Sequence, residues 1–183
     1  IFLFVAFRSI SGILVPLTIV FISVVWLIAF MTSIGKSFDL MSTLLPTILF
    51  VVGMSDVVHF LSRYLEELRV NSVKILAIKT SFRYIGKATL LTSLTTAIGF
   101  LTLFTSGIRP VRDFGLFTAT GVMLAFVVTF LVLPAILILL PKPKRALVQA
   151  EELFWDKIMR SIFLFNSRNS KMVLTISGLV FLV

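Results

Sequence analysis

Four long apolar runs constrain this chain more than any other feature of its sequence. A helix that rises about 1.5 Å per residue needs roughly 20 apolar residues to cross a hydrocarbon core about 30 Å thick. Four complete runs meet that requirement, over residues 11–34, 43–62, 88–106 and 114–140. Because 58% of the residues are hydrophobic, the sequence predicts an all-α membrane protein, a polytopic bundle of transmembrane helices.

Further apolar runs lie at the two ends of the chain, before Arg8 and from about residue 172. The first of them has neither the basic leader nor the small-residue cleavage site of a signal peptide. We therefore expect a fragment that is cut within one span at each end. Its predicted parts are transmembrane helices over 1–140, the first truncated, an amphipathic linker helix over 141–171, and the start of another span over 172–183.

The basic residues are distributed as the positive-inside rule requires. Of the 17 Lys and Arg, 14 fall at Arg8 or in segments 63–87 and 141–171, and three fall in the two short alternate loops, at Lys36, Arg109 and Arg112. This bias predicts that segments 63–87 and 141–171 face the cytoplasm of a multi-pass protein, most simply in the inner membrane of a bacterium. Because the net charge of +9 follows topology, we expect no nucleic-acid partner.

Both basic segments are predicted to be partly helical. In the second, Leu147, Ala150, Phe154 and Ile158 recur at steps of three and four residues, as in an amphipathic helix. Trp155 and the basic neighbours suit a helix in the cytoplasmic headgroup layer. The alternative is a solvated helix that packs on another part of the protein.

Asp56 is the only acidic residue within a predicted span, whereas the other seven lie in loops or at span edges. An Asp near the centre of a membrane helix costs about 2.5–3.5 kcal/mol on insertion scales. Such residues usually face the interior of the bundle and mark a functional site. The alternative, a side chain that only joins helices, is served equally well by Asn without the cost of a charge.

Small and polar residues are expected to surround Asp56 in the bundle. Gly53 and His59 lie three residues to either side of it on one helical face. We expect Gly53, Gly99, Gly115 and Gly121 to allow close helix packing, and His59, Thr92, Thr95 and Thr96 to be relay or hydrogen-bond partners of Asp56. The alternatives are that the hydroxyl-bearing face of the third span only aids helix packing and that His59 only packs or faces water.

A lone intramembrane carboxylate suits reversible protonation or cation binding. Intramembrane aspartyl hydrolysis needs two carboxylates that share a site, and only one lies in a span here. The sequence also lacks a P-loop, a nucleophile elbow, a metal-ligand cluster and any Cys. We therefore expect no enzyme, no cofactor and no metal; the expected coupling ion is H⁺, with Na⁺ as the alternative.

Five motifs in order resemble the RND superfamily of exporters, and within it the MMPL branch of hydrophobe exporters, which is related to Patched-type and sterol-sensing-domain proteins. They are GMSD over 53–56, RYLEE over 63–67, LTSLTTAIGF over 91–100, SGIRPVRDFG over 106–115 and LPA over 133–135. The resemblance implies half of a pseudo-twofold transporter core of twelve helices. It also implies that Asp56 is the proton-relay aspartate of the family's fourth helix, with a partner carboxylate in the missing second half.

The resemblance further implies export of lipids or hydrophobic and amphiphilic compounds, driven by the proton-motive force. Expected partners are membrane lipids, the exported substrate and the second half of the same polypeptide, and a homo-oligomer is left open. Two rival functions share the motifs: a sterol- or lipid-sensing regulatory domain, and a protein-translocation accessory of the same superfamily. Many relatives carry an aromatic residue at the position of Val57, and this departure leaves the choice between H⁺ and Na⁺ open.

Overall fold

The computed structural model describes residues 10–36, 39–70, 73–141, 152–170, 172 and 175. These residues form helices and contain no strand, which confirms the predicted all-α class. In chain order the helices are α1 (Ile10–Ser33), a 3₁₀ turn (Ser42–Leu44), α2 (Leu45–Val70), α3 (Lys74–Leu101), a second 3₁₀ turn (Thr102–Thr105), α4 (Arg109–Leu139) and α5 (Glu152–Arg168).

Four helical segments in the described part of the chain are long and apolar enough to cross a membrane. They are Gly12–Ser33, Ser42–Val70, Lys74–Thr105 and Arg109–Leu139. Each contains or closely matches one of the predicted apolar runs. The prediction of four complete spans is therefore confirmed by length and composition.

Two helices are longer than the apolar runs that predicted them. The second extends to Val70 instead of ending at residue 62, and the third begins at Lys74 instead of residue 88. The extensions persist because they bury side chains of their own, among them Tyr64, Leu68 and Ala77. The expected helical content of segment 63–87 is thus confirmed. We call the end of the bundle at which α2 ends and α3 begins the basic end.

Helix α4 is the centre of the bundle. It packs against α1, α2 and α3, and α2 also packs against α1 and α3. One buried cluster joins Phe60 and Tyr64 of α2 to Phe130 and Leu133 of α4. The ring of Phe130 meets that of Phe60 edge to face at 5.6 Å and that of Phe82 in α3 at 5.3 Å, a favoured aromatic geometry. Phe130 therefore connects three helices.

Glycines of α4 allow two close helix contacts. A Cβ at Gly115 would lie 2.6 Å from the carbonyl oxygen of Phe100 and 2.7 Å from Cβ of Leu103. A Cβ at Gly121 would lie 2.7 Å from Cδ1 of Leu49 and 3.0 Å from Cδ2 of Leu27. Small residues at membrane-helix interfaces let backbones approach in this way.

Polar contacts tie the helix ends together. At the end away from the basic end, Lys36 forms an ion pair with Asp113 at the start of α4. There Asp39 accepts hydrogen bonds from the hydroxyl and the backbone N–H of Ser42, both 2.8 Å, which lower the pKa of Asp39. This contribution to stability is present at neutral pH and is lost as the pH falls through that lowered pKa. At the basic end Lys74 donates to the carbonyls of Ile138 (3.0 Å) and Leu140.

Helix α5 belongs to a second compact unit, residues 148–183. It confirms that segment 141–171 is partly helical, and its side chains from Arg160 to Arg168 are exposed. A location in the headgroup layer stays a prediction. The truncated span over residues 1–7 and most of segment 172–183 lie outside the described residues.

The glycines of α3 and α4 provide a graded stability test. Gly115→Ala should lower the free energy of unfolding by about 1–3 kcal/mol, because the added methyl meets backbone. Gly121→Ala should cost less, since it meets the flexible ends of leucine side chains. Gly99→Ala, where a Cβ would meet nothing within 4 Å, is the control and should be neutral or slightly stabilising. Unfolding in detergent measures all three, and equal losses would contradict the packing.

Candidate functional site

Asp56 lies midway along the 29-residue segment Ser42–Val70, fourteen residues from either end. Its side chain is buried, with 7% of the residue exposed. The adjacent Val57 and the nearby Phe60 are fully buried in the contact with the rest of the bundle. The carboxyl group therefore lies within the predicted span 43–62, where a charge is costly.

One hydroxyl group reaches the carboxyl group of Asp56. The Ser93 hydroxyl of α3 donates to Oδ2 of Asp56 at 3.3 Å, and Ser93 is itself only 2% exposed. Within the described ranges, no Lys or Arg forms an ion pair with Asp56. The site thus has one long hydrogen bond and no compensating positive charge from this part of the chain.

A cavity of about 490 Å³ lies beside Asp56, between α2 and α3. Helix α2 contributes Val51, Val52, Ser55, Asp56 and His59 to its lining, and α3 contributes Ile85, Ala88, Thr89, Thr92, Ser93 and Thr96. Seven of these eleven side chains are polar, although nearly all of them belong to two predicted spans. Such a lining suits water or a small cation next to the carboxyl group.

Of the three predicted threonine partners, Thr92 and Thr96 line the cavity with Asp56, but all three hydroxyls donate elsewhere. The hydroxyl of Thr92 donates to the carbonyl of Thr89 at 2.9 Å, and that of Thr96 donates to the carbonyl of Thr92 at 2.8 Å. Thr95 donates to carbonyls of its own helix and does not line the cavity. Ser93 is therefore the donor that sequence analysis missed.

A four-residue spacing in α3 could have identified Ser93. Small buried residues recur at Ala77, Ser81, Thr89, Ser93 and Ala97, with the partly buried Ile85 in the remaining position. Residues four apart lie on one helical face, so this stripe marks the packing surface. Thr92, Thr95 and Thr96 lie beside the stripe, where their burial is lower.

The glycines expected to pack closely differ in their surroundings. A Cβ at Gly53 would lie 3.4 Å from Cγ2 of Val20 and 3.8 Å from Cβ of Ala125, ordinary distances to α1 and α4. Gly99 is exposed and has open space around it. The close approach expected at Gly99 is therefore absent from the described part of the chain, whereas Gly115 and Gly121 lie at close contacts.

His59 and a charged cluster follow Asp56 towards the basic end. His59 is exposed and lines the cavity one helical turn from Asp56. Another turn on, Arg63 pairs with Glu66 at 2.9 Å and with the buried Glu67 at 2.6 Å. The guanidinium carbon of Arg63 lies 5.0 Å from the ring centre of Tyr84 in α3, a cation–π distance. This cluster joins α2 to α3 just beyond the cavity.

The chemistry available to this arrangement is limited. Among the described residues, no group of three or more His, Cys, Asp or Glu side chains could hold a metal ion. A single buried carboxyl group beside a polar cavity can bind and release a proton or hold a monovalent cation.

Comparisons with known proteins place these features in a family. The model of the MMPL family matches residues 1–165. The chain is 28% identical over 139 residues to MJ1562 of Methanocaldococcus jannaschii, which is named as a membrane protein; the match covers 76% of this chain and 36% of that protein. It is 35% identical over 86 residues to protein dispatched homolog 3 of Gallus gallus, over 47% of this chain and 6% of that protein.

The chain therefore spans about a third of the length of the first relative and much less of the second. No solved structure matches it significantly. The family model includes the four-helix bundle, the Asp56 cavity and α5 up to Phe165. The chain thus belongs to the MMPL family and is an integral membrane protein of the RND superfamily.

Proposed function

We propose that this chain is part of a transporter that exports lipids or other hydrophobic and amphiphilic compounds and is driven by the proton-motive force. Asp56 is the group that takes up and releases the proton. The observation that carries this proposal is the burial of Asp56 in mid-span beside a polar cavity, without a Lys or Arg partner among the described residues. The four helices are the first half of the transporter core.

The energetics of Asp56 favour a proton cycle. An ionised carboxylate at this depth is costly, and binding a proton removes the charge. A proton that crosses a potential of 100 mV yields about 2.3 kcal/mol, and each pH unit of gradient adds about 1.4 kcal/mol. Alternation between the charged and neutral forms changes the interaction of α2 with Ser93. This change couples the energy of the gradient to helix packing.

The oxygen atoms around Asp56 favour H⁺ as the coupling ion over Na⁺. An alkali cation needs several oxygen ligands that converge on it. Here the hydroxyl of Ser93 is the side-chain oxygen that the structure places within hydrogen-bonding distance of the carboxyl group. A proton needs only the carboxyl oxygen.

The missing second half of the same polypeptide completes the site. Of the four candidate spans, α3 with its 3₁₀ turn has the smallest buried share. Thr92 and Thr95 are exposed on it, which leaves a polar face for another helix. In the proposed arrangement a second carboxylate reaches the Asp56 cavity from that side. The basic end and segment 141–171 face the cytoplasm, in the inner membrane of a bacterium.

Replacement of the titrating group tests the proposal. In the complete polypeptide, reconstituted in proteoliposomes, Asp56→Asn keeps the shape of the side chain and its acceptor oxygen but cannot ionise. We expect proton flux, measured with a pH-sensitive dye inside the vesicles, to fall to the level of empty vesicles. Extraction of an NBD-labelled phospholipid should fall with it, while expression and insertion stay normal.

Asp39→Asn is the matched control, because Asp39 lies in a loop outside the spans and should leave flux unchanged. Proton flux that persists at the normal rate in Asp56→Asn would overturn the proposal. Lipid binding without any proton flux in the unsubstituted protein would favour a sterol- or lipid-sensing domain. Flux driven equally well by a sodium gradient would reject H⁺ as the sole coupling ion.

Cysteine labelling tests whether the cavity holds water. The chain has no Cys, so Thr92→Cys and Thr95→Cys introduce single thiols three residues apart on α3. Thr92 lines the cavity and Thr95 does not. A membrane-impermeant maleimide reacts with ionised thiols in water and should label the first variant several-fold faster. Equal labelling rates would contradict a water-filled cavity.

A further inference from the structure

We propose that His59 is the proton-transfer group between Asp56 and the water at the basic end. This inference rests on the proposed function, because it assigns an exit route to the proton that Asp56 carries. It names a second residue of the relay within this chain, distinct from any carboxylate that the second half supplies.

His59 shares its cavity with Asp56. It follows Asp56 by three residues on one face of α2, about 4.5 Å further along the helix axis. Of the eleven side chains that line the cavity, only those of Asp56 and His59 are ionisable acid–base groups. Within the described ranges, the imidazole makes no hydrogen bond or ion pair that would hold its nitrogens.

The cavity has room for the water that must connect the two groups. Its volume of about 490 Å³ corresponds to on the order of ten water molecules at about 30 Å³ each. The exposed Ser55 and Thr92 provide further polar lining. A chain of water molecules between the carboxyl group and the imidazole is therefore sterically feasible.

The carboxylates that follow His59 on α2 are already engaged. Glu66 and Glu67 both pair with Arg63, whose guanidinium lies over Tyr84. These carboxylates stabilise a fixed positive charge, and this cluster lies next to the cavity without lining it. His59 is thus the last free ionisable group that the proton meets within the cavity.

The transfer balances as a simple relay. Protonated Asp56 gives its proton through water to one nitrogen of neutral His59. The resulting imidazolium releases a proton from its other nitrogen to water at the basic end. Asp56 is left as a carboxylate that accepts the hydrogen bond of Ser93. An imidazole suits this role because it exchanges protons readily near neutral pH.

Chemical rescue tests the inference in the complete polypeptide. In proteoliposomes of checked orientation, His59→Ala should slow proton flux by about tenfold or more, as expected when a proton-transfer group is lost. Millimolar imidazole should restore most of the flux, measured relative to empty vesicles given the same imidazole, because it can replace the lost side chain in the open cavity. A merely structural role for His59 would not respond to imidazole.

Two further variants keep the test decisive. His59→Gln retains a polar side chain of similar size and should also be slow and rescued, which covers the case in which His59→Ala is unstable. Ser62→Ala is the control, because it removes a hydroxyl at an exposed position of α2 that does not line the cavity. It should keep the normal flux and show no response to imidazole.

The possible failures are distinguishable. Normal flux in Asp56→Asn would reject the proposed function itself. Loss of flux in Asp56→Asn together with normal flux in both His59 variants would reject only the role of His59. Slow flux that imidazole does not restore would assign His59 a structural role and would also overturn the inference.

Discussion

The burial of one carboxyl group in the middle of a membrane-spanning helix is the constraint on which the arrangement around α2 depends. An ionised group there costs several kcal/mol unless polar neighbours or protonation compensate for it. The described part of the chain supplies few neighbours: the Ser93 hydroxyl at 3.3 Å and a polar cavity of about 490 Å³. A Lys or Arg paired with Asp56 would have kept its carboxyl group ionised. Sparse compensation leaves the protonation state sensitive to what enters the cavity.

Helix packing determines which hydroxyl meets the carboxyl group. Small residues at four-residue spacing, from Ala77 through Ser81 and Thr89 to Ala97, are the buried face of α3, and Ser93 lies in that stripe. Within a bilayer the hydrophobic effect contributes little to the association of helices. Close contact of small side chains therefore contributes much of the free energy of association. The same stripe that holds α3 in place therefore aligns its serine with Asp56. The packing of α3 and the chemistry of the site cannot be altered independently.

Hydropathy predicted the four spans and Asp56 as the acid within them. A bilayer requires a minimum length of apolar sequence, so both the spans and an acidic residue inside one can be recognised from the sequence. The ends of α2 and α3 were not predictable in that way, since their extensions are stabilised by the burial of Tyr64, Leu68 and Ala77 outside the apolar runs. Ser93, rather than Thr92, Thr95 or Thr96, meets Asp56 because of the face of α3 that packs against α2. The spacing of residues in the sequence does not determine which face that is. Gly99 illustrates the same difficulty, because a glycine marks a close contact only where a partner helix lies opposite.

The two ends of α3 are attached to α4, and its middle faces the cavity. At one end Lys74 donates to the last carbonyls of α4, and at the other Gly115 of α4 lies against Phe100 and Leu103. Between these attachments α3 meets Asp56 through the single hydroxyl of Ser93. A change of charge at Asp56 thus acts on the part of the contact between α2 and α3 that includes Ser93. In the proposed cycle, proton binding shifts this local contact while the attachments to α4 preserve the bundle, so the energy of the proton is transmitted to neighbouring helices without unfolding the site.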